Sequence, residues 1–95
     1  MEAGSGKTAL VTGSTDGLGR RVALELSRRG YAVILHSRSE ARCRDAAAEL
    51  PGGGAAYVVA DFSSLEEVRK MAGEVLSGGG RLDLLVNNAG IISRE

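Results

Sequence analysis

The residues with the clearest chemical potential come early. Thr12-Gly13-Ser14-Thr15-Asp16-Gly17-Leu18-Gly19 sets three glycines between a short apolar run and an amphipathic one. Glycine enters left-handed backbone conformations cheaply and lets a ligand approach the main chain. In such a bend Gly13 permits a tight exit from a strand, Gly17 leaves room for a phosphate-bearing ligand, and Gly19 lets the following helix pack closely. The first N–H groups of a helix have no intrahelical partner, and together with the helix dipole they favour an anion. Glycines alone also make plain tight turns. Their position between a strand and a helix is what points to anion binding.

Two upstream patterns do not compete. Gly4-Ser5-Gly6-Lys7-Thr8 has the end of a phosphate-loop pattern, and Gly4, Gly6 and Ala9 fit a dinucleotide pattern loosely. Both precede the first strand instead of following it, and the phosphate loop would need a glycine where Met1 stands.

The elements that must position this bend follow from periodicity. Thr8-Ala9-Leu10-Val11-Thr12 reads as a strand, and Leu18, Val22 and Leu26, with Ala23 beside them, predict one apolar stripe of a helix. Arg28 and Arg29 followed by Gly30 end that helix, with cations near its C-terminus and a residue able to turn left-handed. Tyr31-Ala32-Val33-Ile34-Leu35 is a strand apolar on both faces, as strands of covered parallel sheets are. Residues 40–50 predict a second helix stopped by Pro51 and the glycines 52–54. Tyr57-Val58-Val59-Ala60 is the third strand. Ser63 with Glu66 has capping-box spacing for a third helix, on which Leu65, Val68, Ala72 and Val75 share a face before the glycines 78–80. Residues 82–86 make a fourth strand, followed by Asn87-Asn88-Ala89-Gly90. The order β-α-β-α-β-α-β implies an α/β fold with a parallel sheet covered on both faces. In such sheets ligands bind outside the carboxyl ends of the strands, where strand order reverses.

Thr12-Gly13-x-x-x-Gly17-x-Gly19 together with Asn87-Asn88-Ala89-Gly90 resembles the short-chain dehydrogenase/reductase family, and the likeness covers nearly the whole chain. The resemblance implies the N-terminal part of a Rossmann-type doubly wound sheet, with strand order 3-2-1-4. It further implies that the bend, Gly13, Ser14, Thr15, Asp16, Gly17, Leu18 and Gly19, contacts a dinucleotide. Asp61 matches the family's acidic residue that meets the adenine amino group, with Phe62 beside it. Asn87, Ala89 and Gly90 match a segment that supports the sheet and lines the adenosine side of the cofactor. Read without the family, Asp61 is a helix-start residue, and Asn87 and Asn88 satisfy loop backbone groups.

NAD-using members place a carboxylate at the end of the second strand to hold the ribose hydroxyls. The matching position here is Ser37, and Arg38 follows. A carboxylate would repel the extra phosphate of NADP, whereas a guanidinium makes charge-assisted, potentially bidentate bonds to it. The expected cofactor is NADP rather than NAD, with Arg38 the main anion receptor and Ser37 a hydroxyl donor. Read blandly, Arg38 is a solvated residue beginning the second helix. His36 is expected to finish the strand, partly covered by adenosine, and Cys43 to be structural, since nothing near it in sequence predicts a reactive thiolate.

Family members reduce carbonyls or oxidise alcohols with a serine and a Tyr-x-x-x-Lys pair, whose lysine lowers the tyrosine pKa for acid–base work. Here Tyr31 is followed four residues on by Leu35 and Tyr57 by Asp61, so the catalytic pair is absent from these residues. The expectation is an incomplete dinucleotide-binding domain over residues 1–95, cut from an enzyme of about 250 residues and inactive as a reductase by itself. The fourth strand would then be an exposed edge of buried-strand composition, open to aggregation. A substrate site and any homo-oligomer contact would lie in the missing part. The alternatives are a short non-catalytic, regulatory dinucleotide-binding module or a relic that binds nothing.

Composition limits the other classes. The 95 residues are 43% hydrophobic and 25% charged, ordinary for one small globular domain and not for a disordered chain. Twelve basic residues balance twelve acidic ones, which removes the strongest argument for a nucleic-acid or anionic-membrane partner. One cysteine and one histidine exclude a disulfide framework and argue against a metal cluster. No apolar run approaches the ~20 residues of a membrane span. The first residues lack the basic start and apolar middle of a secretory signal, so a cytoplasmic setting is expected.

Overall fold

The computed structural model describes residues 6–15, 17–51, 55–77 and 82–87. Strands and helices alternate as β1 (Thr8–Val11), α1 (Gly17–Arg28), β2 (Ala32–Ser37), α2 (Glu40–Glu49), β3 (Ala56–Val59), α3 (Leu65–Ser77) and β4 (Leu84–Val86). The strands form one sheet in the order β3-β2-β1-β4, every pairing parallel. The chain steps outward from β1 through β2 to β3 and then returns to place β4 on the other side of β1. The order reverses at the carboxyl end of β1, and there the glycine bend begins.

Apolar residues on successive strand positions serve opposite faces, because side chains alternate along a strand. Val11, Val33 and Leu35 pack with Ala23 of α1 and with Ala46, Ala47 and Leu50 at α2. Leu10, Val58 and Ala60 meet Met71 of α3, with Ile34, Val75 and Leu82 around them. This two-sided cover explains the unbroken apolar runs of β1 and β2. At the end of α1 the Gly30 backbone is left-handed (φ 94°), the Tyr31 N–H donates to Leu26 O and the Gly30 N–H to Ser27 O. That double bond pattern closes the helix and turns the chain back into β2.

Four expectations need correcting. Leu18 is 69% exposed, because the buried face of α1 centres on Gly19 and Ala23, and adjacent helix positions diverge by about 100°. Leu65 is 64% exposed at the start of α3, and the buried anchor of that helix is Met71, with Val68 and Val75 half-buried. The cap of α3 is Ser64, whose Oγ accepts from the Glu67 N–H at 3.2 Å, while Ser63 is drawn off to Asp61. Strand β2 also runs on to Ser37, because His36 and Ser37 pair with Val58 and Val59. The glycine triplets 52–54 and 78–80 lie outside the described residues.

Leu35 is among the largest fully buried side chains, at 1% exposure. Leu35→Ala should cost about 2–5 kcal/mol of stability, read as a shifted urea midpoint of the full-length protein. A loss near zero would contradict this packing.

Candidate functional site at the carboxyl ends of the strands

The bend leaves β1 through Gly13 and enters α1 at Gly17, both with φ 59°. A side chain at either position would be strained whatever space it found. A Cβ at Gly17 would meet nothing within 4 Å, so this glycine serves backbone conformation and access, not packing. Gly19 is buried, as its proposed packing role requires. The N–H groups of Gly17, Leu18 and Gly19 sit in the first turn of α1, where the helix offers them no carbonyl.

The first half of the bend is held from β2. Gly13 N–H donates to His36 Nδ1 at 3.0 Å, and Ser14 N–H donates to His36 O at 2.9 Å. Ser14 Oγ accepts from His36 N–H at 2.8 Å and lies 3.3 Å from His36 O. Ser14 is fully buried, and both its donors are turned to His36. Its geometry is that of a brace under the bend, where a direct cofactor contact was expected. Thr15 is half-buried, and Asp16 lies outside the described residues.

His36 itself is 3% exposed, a buried residue one position before the end of β2. Its Nε2 lies 2.9 Å from Ala60 O, and its ring stacks on Phe62 with centroids 4.2 Å apart. Burial pushes the imidazole pKa below its ordinary 6.5, a shift the Ala60 bond partly opposes.

Beside this brace lies a polar cavity of about 620 Å³ lined by Ser37, Arg38, Ser39, Arg42, Asp61 and Glu67. Ser37 Oγ accepts from Ser39 N–H at 3.1 Å, which leaves its own proton to donate elsewhere. Ser39 caps α2 by accepting from Arg42 N–H, so the cap fixes the backbone of Arg42 one turn from Arg38. Across the cavity Asp61 Oδ1 accepts from the Ser63 N–H and Oγ–H, at 2.9 and 2.8 Å. Those bonds, with Arg38 nearby, hold the Asp61 carboxyl below its usual range. Glu67 accepts from Asp61 N–H at 2.8 Å and so ties this loop to α3.

At the other side of β1, Thr12 Oγ1 lies 3.3 Å from Val86 O and 3.4 Å from Asn87 Oδ1. Asn87 therefore faces the end of β1, in keeping with the sheet-supporting half of its expected role. Ala89 and Gly90 lie outside the described residues. Cys43 is fully buried with Sγ 3.7 Å from Val58 O, and burial pushes its thiol up, so it stays protonated and structural. Among the described residues no group of His, Cys, Asp and Glu could hold a metal ion, and no helix is long and apolar enough to cross a membrane.

The sequence reading assigned Ser37, Arg38 and Asp61 to the cofactor, and the structure sets all three on one cavity. It missed Arg42, Glu67 and the bracing role of His36. The signal for Arg42 was available: Ser39 as a helix cap puts the residue three positions on at the same helix start.

A doubly wound parallel sheet with a glycine bend at its switch point defines the class. The family model for short chain dehydrogenase matches residues 7–95, and the chain belongs to that family. Human retinol dehydrogenase 13 is 38% identical over 91 residues, covering 92% of this chain and 28% of that protein. Trihydroxynaphthalene reductase of Colletotrichum orbiculare is 40% identical over 91 residues, covering 93% of this chain and 32% of that protein. The solved Pseudomonas aeruginosa RhlG/NADP active-site complex matches with a TM-score of 0.83 at 38% identity, covering 90% of this chain and 35% of that one. The chain thus spans about a third or less of these two curated relatives.

The buried imidazole makes a signed prediction. A histidine whose folded pKa is lowered stabilises nothing by protonation; the folded state loses stability as pH falls below the unfolded value near 6.5 toward the depressed one. In an NMR titration the His36 ring should protonate only below pH 6.5, with the Gly13 amide shifting in step. Protonation at or above that value would contradict the burial.

Proposed function

We propose that the chain is the cofactor-binding part of an NADP-dependent oxidoreductase, which moves hydride between NADP(H) and a carbonyl or alcohol of a small molecule. The observation that carries the cofactor choice is the pair of guanidiniums, Arg38 and Arg42, on one polar cavity beside the bend. The residues fit the nucleotide. Unpartnered N–H groups at the start of α1 suit a pyrophosphate, and the two arginines with the Ser37 hydroxyl suit a ribose phosphate. The acceptor-only Asp61 suits an exocyclic amino group. When bound, the nicotinamide supplies the hydride chemistry. The described residues would bind and orient the nucleotide and take no part in proton transfer.

The catalytic residues and the substrate pocket belong, on this reading, to a further C-terminal part of a longer protein. Leu85, 56% exposed, and an apolar cavity of about 330 Å³ between β1, β4 and α3 support that reading, since both are surfaces a further layer would cover. The relatives' names span retinol and a trihydroxynaphthalene, so the substrate class is held at carbonyl or alcohol.

Two substitutions in the full-length protein separate gripping from selecting. Arg38→Ala should weaken NADP binding by about 10- to 100-fold and leave NAD nearly unchanged, since a hydrogen bond to a charged group contributes about 1.5–3 kcal/mol. Equal losses for both nucleotides in calorimetric titrations would refute the selector role. Gly17→Ala should destabilise the fold by about 1–2 kcal/mol through its left-handed backbone and weaken both nucleotides alike.

A further inference from the structure

We propose that His36 is a positioning residue for the nucleotide, locking the glycine bend to the Asp61 loop through a single ring tautomer. This rests on the dinucleotide reading above. Ala60 O, a carbonyl, only accepts, so the proton of the imidazole sits on Nε2 at 2.9 Å. Nδ1 is then a lone pair, which is what the Gly13 N–H requires at 3.0 Å. The two partners fix one tautomer between them, and neither charged imidazolium nor the other neutral form satisfies both.

The partners are also the two loops that the nucleotide must bridge. Gly13 opens the bend, and Ala60 leads directly into Asp61 on the cavity wall. The main chain of His36 meanwhile holds Ser14 by its N–H and its carbonyl. Phe62, next to Asp61, stacks on the ring at 4.2 Å with 20° between planes and keeps it from swinging out. One buried side chain therefore sets the spacing between the pyrophosphate grip and the adenine-side acceptor. Removing its nitrogens would leave Gly13 N–H and Ala60 O without these partners, and each loop would relax independently.

The test uses the full-length protein with ¹⁵N-labelled histidine and two variants. His36→Phe keeps an aromatic ring against Phe62 and loses both bonds; His36→Gln keeps one donor and one acceptor. NADP affinity should fall about tenfold or more in His36→Phe and recover to within about threefold of wild type in His36→Gln. The ring spectrum of the nucleotide-free wild type should show a protonated Nε2 and a bare Nδ1. Wild-type affinity in His36→Phe, or a protonated Nδ1, overturns the inference while the dinucleotide reading stands. If His36→Phe does not fold, the spectrum and His36→Gln decide: a loss beyond tenfold in the glutamine variant also overturns it. A wild-type protein that binds neither NADP nor NAD sinks the dinucleotide reading, and the positioning role with it.

Discussion

A parallel strand ends with its last amide and carbonyl groups facing a loop, and those groups must be satisfied before the loop can offer anything to a ligand. At the end of β1 the Thr12 N–H donates to Val86 O of β4, and the next two amides are met by one residue of the strand on the other side. His36 takes the Gly13 N–H on its ring and the Ser14 N–H on its carbonyl, and Ser14 Oγ takes the His36 N–H in return. The bend is thereby fixed to β2 before any ligand arrives. Its left-handed glycines hold a conformation that most residues would leave. Without this brace the glycines would confer flexibility instead of a preformed shape, and ordering them on binding would cost affinity.

The same constraint organises the acidic side. Asp61 has its N–H on Glu67 and one carboxylate oxygen on Ser63, so the loop after β3 is held by the helix it introduces. At the start of β4, Thr8 N–H donates to Asp83 Oδ2 while Asp83 N–H donates to Thr8 O, which pins the short edge strand to β1. The ends of β1 and β3 and the start of β4 are thus each tied to a neighbouring element.

That explains what was legible in the residues and what was not. The order of elements was readable because apolar runs and glycine stops report local periodicity, and the strand order followed from the family likeness. Gly13, Gly17 and Gly30 declared themselves, since a left-handed backbone favours that residue type. The polarity of individual side chains was harder. Ser14 reads as a cofactor contact and is buried against His36; Leu18 and Leu65 read as core and are exposed. These errors share a cause: helix starts and bends sit at the rim of the sheet, where neighbours from other strands decide burial and periodicity carries no such information. His36 and Ala60, 24 positions apart, could be joined only by the fold.

The brace also has a consequence for how the site divides its work. With the Gly13 and Ser14 amides committed to His36, the anion field of the bend comes from the first turn of α1. A guanidinium is not needed there, and the cations stand instead at the start of α2, on Arg38 and Arg42. On the proposed reading, main-chain donors that every dinucleotide satisfies grip the pyrophosphate, and side-chain cations at a second helix start choose between nucleotides. The two functions rest on different elements but on one shared support, because β2 both braces the bend and delivers Ser37 and Arg38. On that reading a change in the arginines would leave the grip intact, whereas a change in the brace would disturb both.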